Sequence, residues 1–144
     1  IAAFKALRSS QCATASYNPM ISVLMVALGG ALGSVLRYAS SLLVAQIAPA
    51  YLYIATLFVN IIGCFLIGCA FAWFVLRPDV PDLTRLLLMT GFLGGFTTYS
   101  TFSLDALRLL TSGQLLPAFV YMGVTLGGGL VATWLGMALI KFSL

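Results

Sequence analysis

Read for where apolar and polar positions alternate, the chain divides into four long apolar runs, at about 20–44, 53–76, 83–110 and 116–142. Each reaches the roughly 20 residues that a helix needs to cross a bilayer. Short polar stretches separate them: one around Gln46 to Ala50, the proline-containing connector Arg77 to Arg85, and the turn Thr111-Ser-Gly-Gln. The pattern predicts an all-α integral membrane domain over 20–144 with four transmembrane helices. Ahead of it, 1–19 reads as a mixed Ser- and Ala-rich tail without the continuous apolar core of a signal peptide, and so as an extension or a processing remnant.

The third run carries residues that a plain spanning helix does not need. Gly91, Gly94 and Gly95 are followed by Thr97, Thr98, Ser100, Thr101 and Ser103. Glycine weakens a helix through backbone entropy, and Ser and Thr compete for backbone hydrogen bonds. The spacing predicts a break near the middle of the run. Carbonyls freed inside hydrocarbon cost several kcal/mol each unless protein, water or an ion meets them, so a break at that depth points to a cavity or an ion site. Close helix packing by small residues is the other reading of the glycines, and the density of hydroxyls favours the break.

Polar positions elsewhere fall into stripes. In the first run Gly29, Gly33 and Arg37 recur every four residues and share a helix face. Arg37 lies roughly 10 Å from the end of its run at 1.5 Å per residue, where it either snorkels to the interface or faces a wet vestibule that draws anions. In the second run Thr56, Asn60, Gly63 and Ile67 form one stripe. Its amide is either interhelical glue or a donor to an anion. Tyr99 and Phe102 are neighbours at i,i+3; rings so spaced usually just pack, but positive ring edges turned into a cavity favour a small anion. In the fourth run Tyr121, Thr125, Gly129 and Thr133 draw a polar stripe, a hydrated track or a packing seam.

Composition narrows the function. At 62% hydrophobic and 7% charged, the chain lies far from the soluble range of about 25% charged residues. The net charge of +4 comes from scattered Lys and Arg with no cluster for nucleic acid or anionic lipid. There is no His, Cys12, Cys64 and Cys69 are dispersed, and the acids fall at segment ends, so neither a metal centre built from side chains nor a catalytic constellation is in sight and an enzyme is not expected. Cys64 and Cys69 read as small apolar fillers. Without the tail, Arg77, Arg85 and Lys141 on one side face Arg37 and Arg108 on the other, almost no positive-inside bias. Counting Lys5 and Arg8 restores a bias.

Together the motifs Gly29-Gly-x-x-Gly33 with Arg37-Tyr38, Thr56-Leu-x-x-Asn60-x-x-Gly63 and Gly91-x-x-Gly-Gly-x-Thr-Thr-Tyr-Ser-Thr-Phe-Ser103 resemble the small bacterial fluoride channels of the Fluc or CrcB type over nearly all of 20–144. The resemblance implies an antiparallel, dual-topology homodimer in the bacterial cytoplasmic (inner) membrane, with two fluoride pores and a structural sodium ion at its centre. By position, the sodium would be held by backbone carbonyls of Gly94 and Thr97 from both subunits. Asn60, Tyr99, Phe102, Ser103, Tyr121, Thr125, Thr56 and Arg37 would belong to the fluoride path. The implied role is passive export of fluoride trapped in the cytoplasm after hydrogen fluoride enters. Tyr99 and Gly129 depart from the family pattern: Tyr99 stands where the first of two pore phenylalanines is expected, and Gly129 where a further hydroxyl is often found. Two rivals remain, a small dual-topology multidrug exchanger, for which Asp105 is the only candidate carboxylate, and a non-conducting membrane assembly subunit.

Overall fold

The computed structural model describes residues 18–143, and among them no strand forms. Helix α1 is Pro19–Ile47. Its start is set by Asn18, whose side-chain oxygen accepts from the Met20 N–H at 3.0 Å, with proline in the first turn where its missing N–H costs nothing. The helix thus opens at Pro19, inside the stretch read as a tail; Lys5, Arg8 and Cys12 lie outside the described residues. After the 3₁₀ turn Pro49–Tyr51 comes α2, Tyr53–Leu76. The next helical run, α3 (82–96), comprises Asp82–Arg85, a π-wound stretch Leu86–Leu93 and Gly94–Phe96. Helix α4 is Tyr99–Thr111, and α5 is Leu115–Ser143 with a π turn at Val124–Gly128.

Three of these, α1, α2 and α5, are long and apolar enough to cross a membrane. The third apolar run is not a single helix. Thr97 (φ −79°, ψ 159°) and Thr98 (φ −151°, ψ 120°) are extended and divide it into α3 and α4. The interruption falls within the glycine- and hydroxyl-rich stretch, where the helical state is weakest.

The connector before α3 does more than link. Arg85, where the connector and the run from about 83 overlap, lies on the first helical turn, since Asp82 opens the helix behind Pro81. Its guanidinium folds back over the Phe74 ring at 5.2 Å from the centroid and donates to the Phe74 carbonyl at 3.5 Å, tying α3 to the end of α2.

Close approach at glycines sets the helix pairing. A Cβ on Gly29 would run into the Leu87 carbonyl and the Phe92 N–H, and one on Gly33 into Phe92 and Phe96 backbone, so α1 lies directly on α3. Gly68 and Gly136 do the same between α2 and α5, where a Cβ would meet the Thr133 and Phe65 carbonyls. Phe102, Ala106 and Leu109 of α4 pack with Ala118 and Tyr121 of α5 in one buried cluster. Turn Ser112–Gln114 returns the chain: Gly113 takes φ +77°, and the Gln114 and Gly113 N–H groups donate to Leu109 and Leu110 carbonyls at 3.0 and 3.1 Å. Outward leucines such as Leu32 and Leu130 are exposed, as apolar solvent or a partner requires.

Candidate functional site

The break is held from across the bundle by Asn60 of α2. An α-helix pairs each N–H with the carbonyl four residues earlier. The Thr98 N–H, which would serve the Gly94 carbonyl, instead donates to Asn60 Oδ1 at 2.8 Å, and Asn60 Nδ2 donates to the Thr98 carbonyl at 3.0 Å. The Thr101 N–H, which would serve the Thr97 carbonyl, donates to Thr98 Oγ1 at 3.2 Å, an N-cap bond for α4. The carbonyls of Gly94 and Thr97 therefore both lose their helical donors. Gly63 makes room for this arrangement, because a Cβ there would collide with the Thr97 methyl group.

Around the break lie two clefts. One, of about 410 Å³, is walled mainly by apolar atoms and takes in Asn60, Tyr99, Phe102, Thr125 and Thr133, with Cys64 between them. The second, of about 220 Å³, is more polar, gathering Arg37, Ser34, Ser41, Thr56 and Thr101. Thr98 lines both. Arg37, half-buried on α1, thus faces hydroxyls from three other parts of the chain and makes no ion pair among the described residues.

Tyr121, in the buried cluster with Phe102, is only 2% exposed. Its ring lies 5.3 Å from Phe102 and 5.4 Å edge-on from Tyr53. Its hydroxyl is enclosed without a hydrogen-bond partner, although Thr56 and Asp105 are neighbours. The Thr56 hydroxyl donates to Asp105 Oδ2 at 2.9 Å. Tyr99 is 76% exposed at the rim of the larger cleft, its ring 5.6 Å from Phe102.

The sequence-derived residues do not all converge. Asn60, Tyr99, Phe102 and Thr125 share the larger cleft, and Arg37 and Thr56 share the polar one. Tyr121 lines neither cleft: its ring packs on Phe102 of the larger one and its hydroxyl lies beside Thr56 of the polar one. Ser103 stands apart on the exposed face of α4, its hydroxyl donating to the Tyr99 carbonyl at 3.0 Å. Gly94 and Thr97 meet at the break. Asp105 was read only as the candidate carboxylate of an exchanger; its position three residues after Phe102 is the signal that it shares that face. Cys64, read as filler, lies against Gly129: a Cβ on Gly129 would sit 3.2 Å from its sulfur.

Chemically, the site offers neutral donors to an anion, and two carbonyls whose α-helical N–H donors are engaged elsewhere. Asn60 has an amide hydrogen left after its bond to Thr98, and the Tyr121 hydroxyl has none committed. The Thr125 hydroxyl, by contrast, is bonded back to the Tyr121 carbonyl at 2.7 Å.

Comparison with known proteins finds relatives over most of the chain. Residues 24–137 match the family described as CrcB-like protein, Camphor Resistance (CrcB). The chain is 54% identical over 123 residues to the fluoride-specific ion channel FluC of Azotobacter vinelandii (strain DJ / ATCC BAA-1303), covering 85% of this chain and 99% of that one. It is 50% identical over 120 residues to the protein of the same name from Pseudomonas fluorescens (strain SBW25), covering 83% and 97%. With that of Stutzerimonas stutzeri (strain A1501) it shares 51% identity over 116 residues, covering 81% and 94%.

Proposed function

This chain belongs to the CrcB-like family, and from that premise we propose that it is a fluoride-selective channel, a multi-pass protein of the bacterial inner membrane that lets fluoride leave the cytoplasm passively. It is not an enzyme. The observation that carries the reading is the Asn60-held break beside the cleft of Tyr99, Phe102 and Thr125. Fluoride holds its hydration shell tightly, so a narrow path must replace water with donors and positive ring edges at small radius. Arg37 draws the anion into the polar cleft. The free amide hydrogen of Asn60, the Phe102 ring edge and the Tyr121 hydroxyl then receive it, with Thr56 and Thr125, whose hydroxyl hydrogens go to Asp105 and the Tyr121 carbonyl, alongside. Tyr99 presents its ring at the rim, where its phenol is an additional donor.

The third crossing is made by α3 and α4 together, which brings the break to membrane depth and gives four transmembrane segments. The carbonyls of Gly94 and Thr97 fit a hard monovalent cation such as sodium, since neutral oxygen ligands released from a helix suit it and no acid is needed. Two carbonyls from one chain are too few for such an ion. A second copy in antiparallel orientation would supply the rest, giving a dual-topology homodimer with sodium at its centre and two fluoride paths. In that assembly Ser103, on the exposed face of α4, meets the partner's path and not its own.

Expression in a bacterium stripped of its own fluoride exit, grown on fluoride medium, tests the reading. Growth with the wild-type chain and none with an empty vector is expected. Equal failure of both, with the protein present in the membrane, would overturn it.

A further inference from the structure

Arg108 and Asp105 form an ion pair near the site that has no part in the fluoride path described above. The Arg108 guanidinium stands 3.9 Å from Asp105 Oδ1, its side chain 70% exposed where that of Asp105 is 12% exposed. The other carboxylate oxygen is the one that accepts from Thr56. On the outer side of that bond a third cleft, of about 290 Å³, opens among Tyr53, Asp105, Arg108, Ser112 and Gln114, under the turns at 49–51 and 112–114. The Thr56–Asp105 bond is therefore a wall between two polar clefts, each with one arginine.

An anion coming to that wall from the outer cleft meets a carboxylate. Among the described residues Asp105 and Arg108 are the charged groups that line it. We propose that Arg108 is a charge-balancing residue of the fluoride path: it offsets Asp105 so that the outer cleft admits fluoride. An exposed i,i+3 ion pair adds little to stability, so a purely structural role predicts almost no effect of its removal. A role in the field of the outer cleft predicts a several-fold effect that salt erases. This rests on the fluoride-channel reading.

The test is the initial rate of fluoride efflux from liposomes containing wild type, Arg108→Lys, Arg108→Gln or Arg108→Glu, at ionic strengths of about 0.01 M and about 1 M, where the screening length is roughly 30 Å and 3 Å. At low ionic strength Arg108→Gln should lose ~3-fold, the Boltzmann factor for one unit charge ~6 Å away in water, and Arg108→Glu ~10-fold. Arg108→Lys should match wild type, and all four should converge at high ionic strength. Equal rates for Arg108→Gln and wild type at low ionic strength would overturn the proposal, as would a deficit that salt leaves unchanged. Failure of the channel reading itself is seen separately, as absence of fluoride efflux from wild type.

Discussion

Replacing Asn60 with alanine probes the joint that holds the break open. The substitution removes the acceptor of the Thr98 N–H and the donor to the Thr98 carbonyl, both buried with Asn60 itself 9% exposed. A buried group left without its partner costs about 1–3 kcal/mol, so two such losses destabilise the fold by about 2–6 kcal/mol. At roughly 2–4 °C per kcal/mol, the melting temperature in detergent should fall by about 4 °C or more. The chain can recover part of this by returning the Thr98 N–H to the Gly94 carbonyl, but that closes the break and covers an oxygen proposed to hold sodium. Either way fluoride efflux is lost. Asn60→Asp separates the two bonds: it keeps the acceptor for Thr98 N–H and sets an oxygen against the Thr98 carbonyl, so it should also fail. Wild-type melting and wild-type efflux in Asn60→Ala would refute the argument that Asn60 maintains the interruption.

Tyr121→Phe removes the hydroxyl enclosed beside Thr56 and Asp105 and keeps the ring packed on Phe102 and Tyr53, so it should lower fluoride efflux while the protein still folds; unchanged efflux would contradict its place on the path. Tyr99→Phe trims an exposed phenol, and both folding and fluoride selectivity over chloride should survive, measured by melting and by parallel halide efflux. Gly33→Val drives side-chain atoms into the Phe92 and Phe96 backbone and should cost ~1–3 kcal/mol or more, visible as loss of the monodisperse peak on size-exclusion chromatography. Purification and reconstitution with sodium replaced by a large organic cation should reduce efflux, with recovery when sodium returns; full activity throughout would remove sodium from the account.

The helices and the place of the break were readable because they depend on composition over many residues or on a dense local signal. The run 91–103 announced its own weakness as a helix, and Thr97 and Thr98 are where it gives way. The stripe Tyr121, Thr125, Gly129 was also visible, but not its cause. In a straight α-helix four-residue steps drift by about 40° each, and the π turn at Val124–Gly128, with its wider winding, takes up part of that drift. No single residue announces a π turn. Asn60 was legible as an isolated amide in an apolar helix, whereas its partner 38 residues away was not, since the pairing is made by the packing of α2 against the break. The hold of Arg85 on Phe74 was illegible for the same reason: it needs the connector to fold back, which only the tertiary arrangement dictates. Asp105 drew notice as a possible exchanger carboxylate, and its bond to Thr56 belongs to the same class of contact between distant segments.

Fluoride efflux from liposomes holding the purified wild-type chain, loaded in parallel with fluoride or chloride and charge-balanced by a potassium ionophore, tests the channel reading most directly. That reading predicts rapid fluoride efflux that depends on the ionophore, with chloride retained. Retention of both halides by correctly assembled protein, or release of both at equal rates, would contradict it.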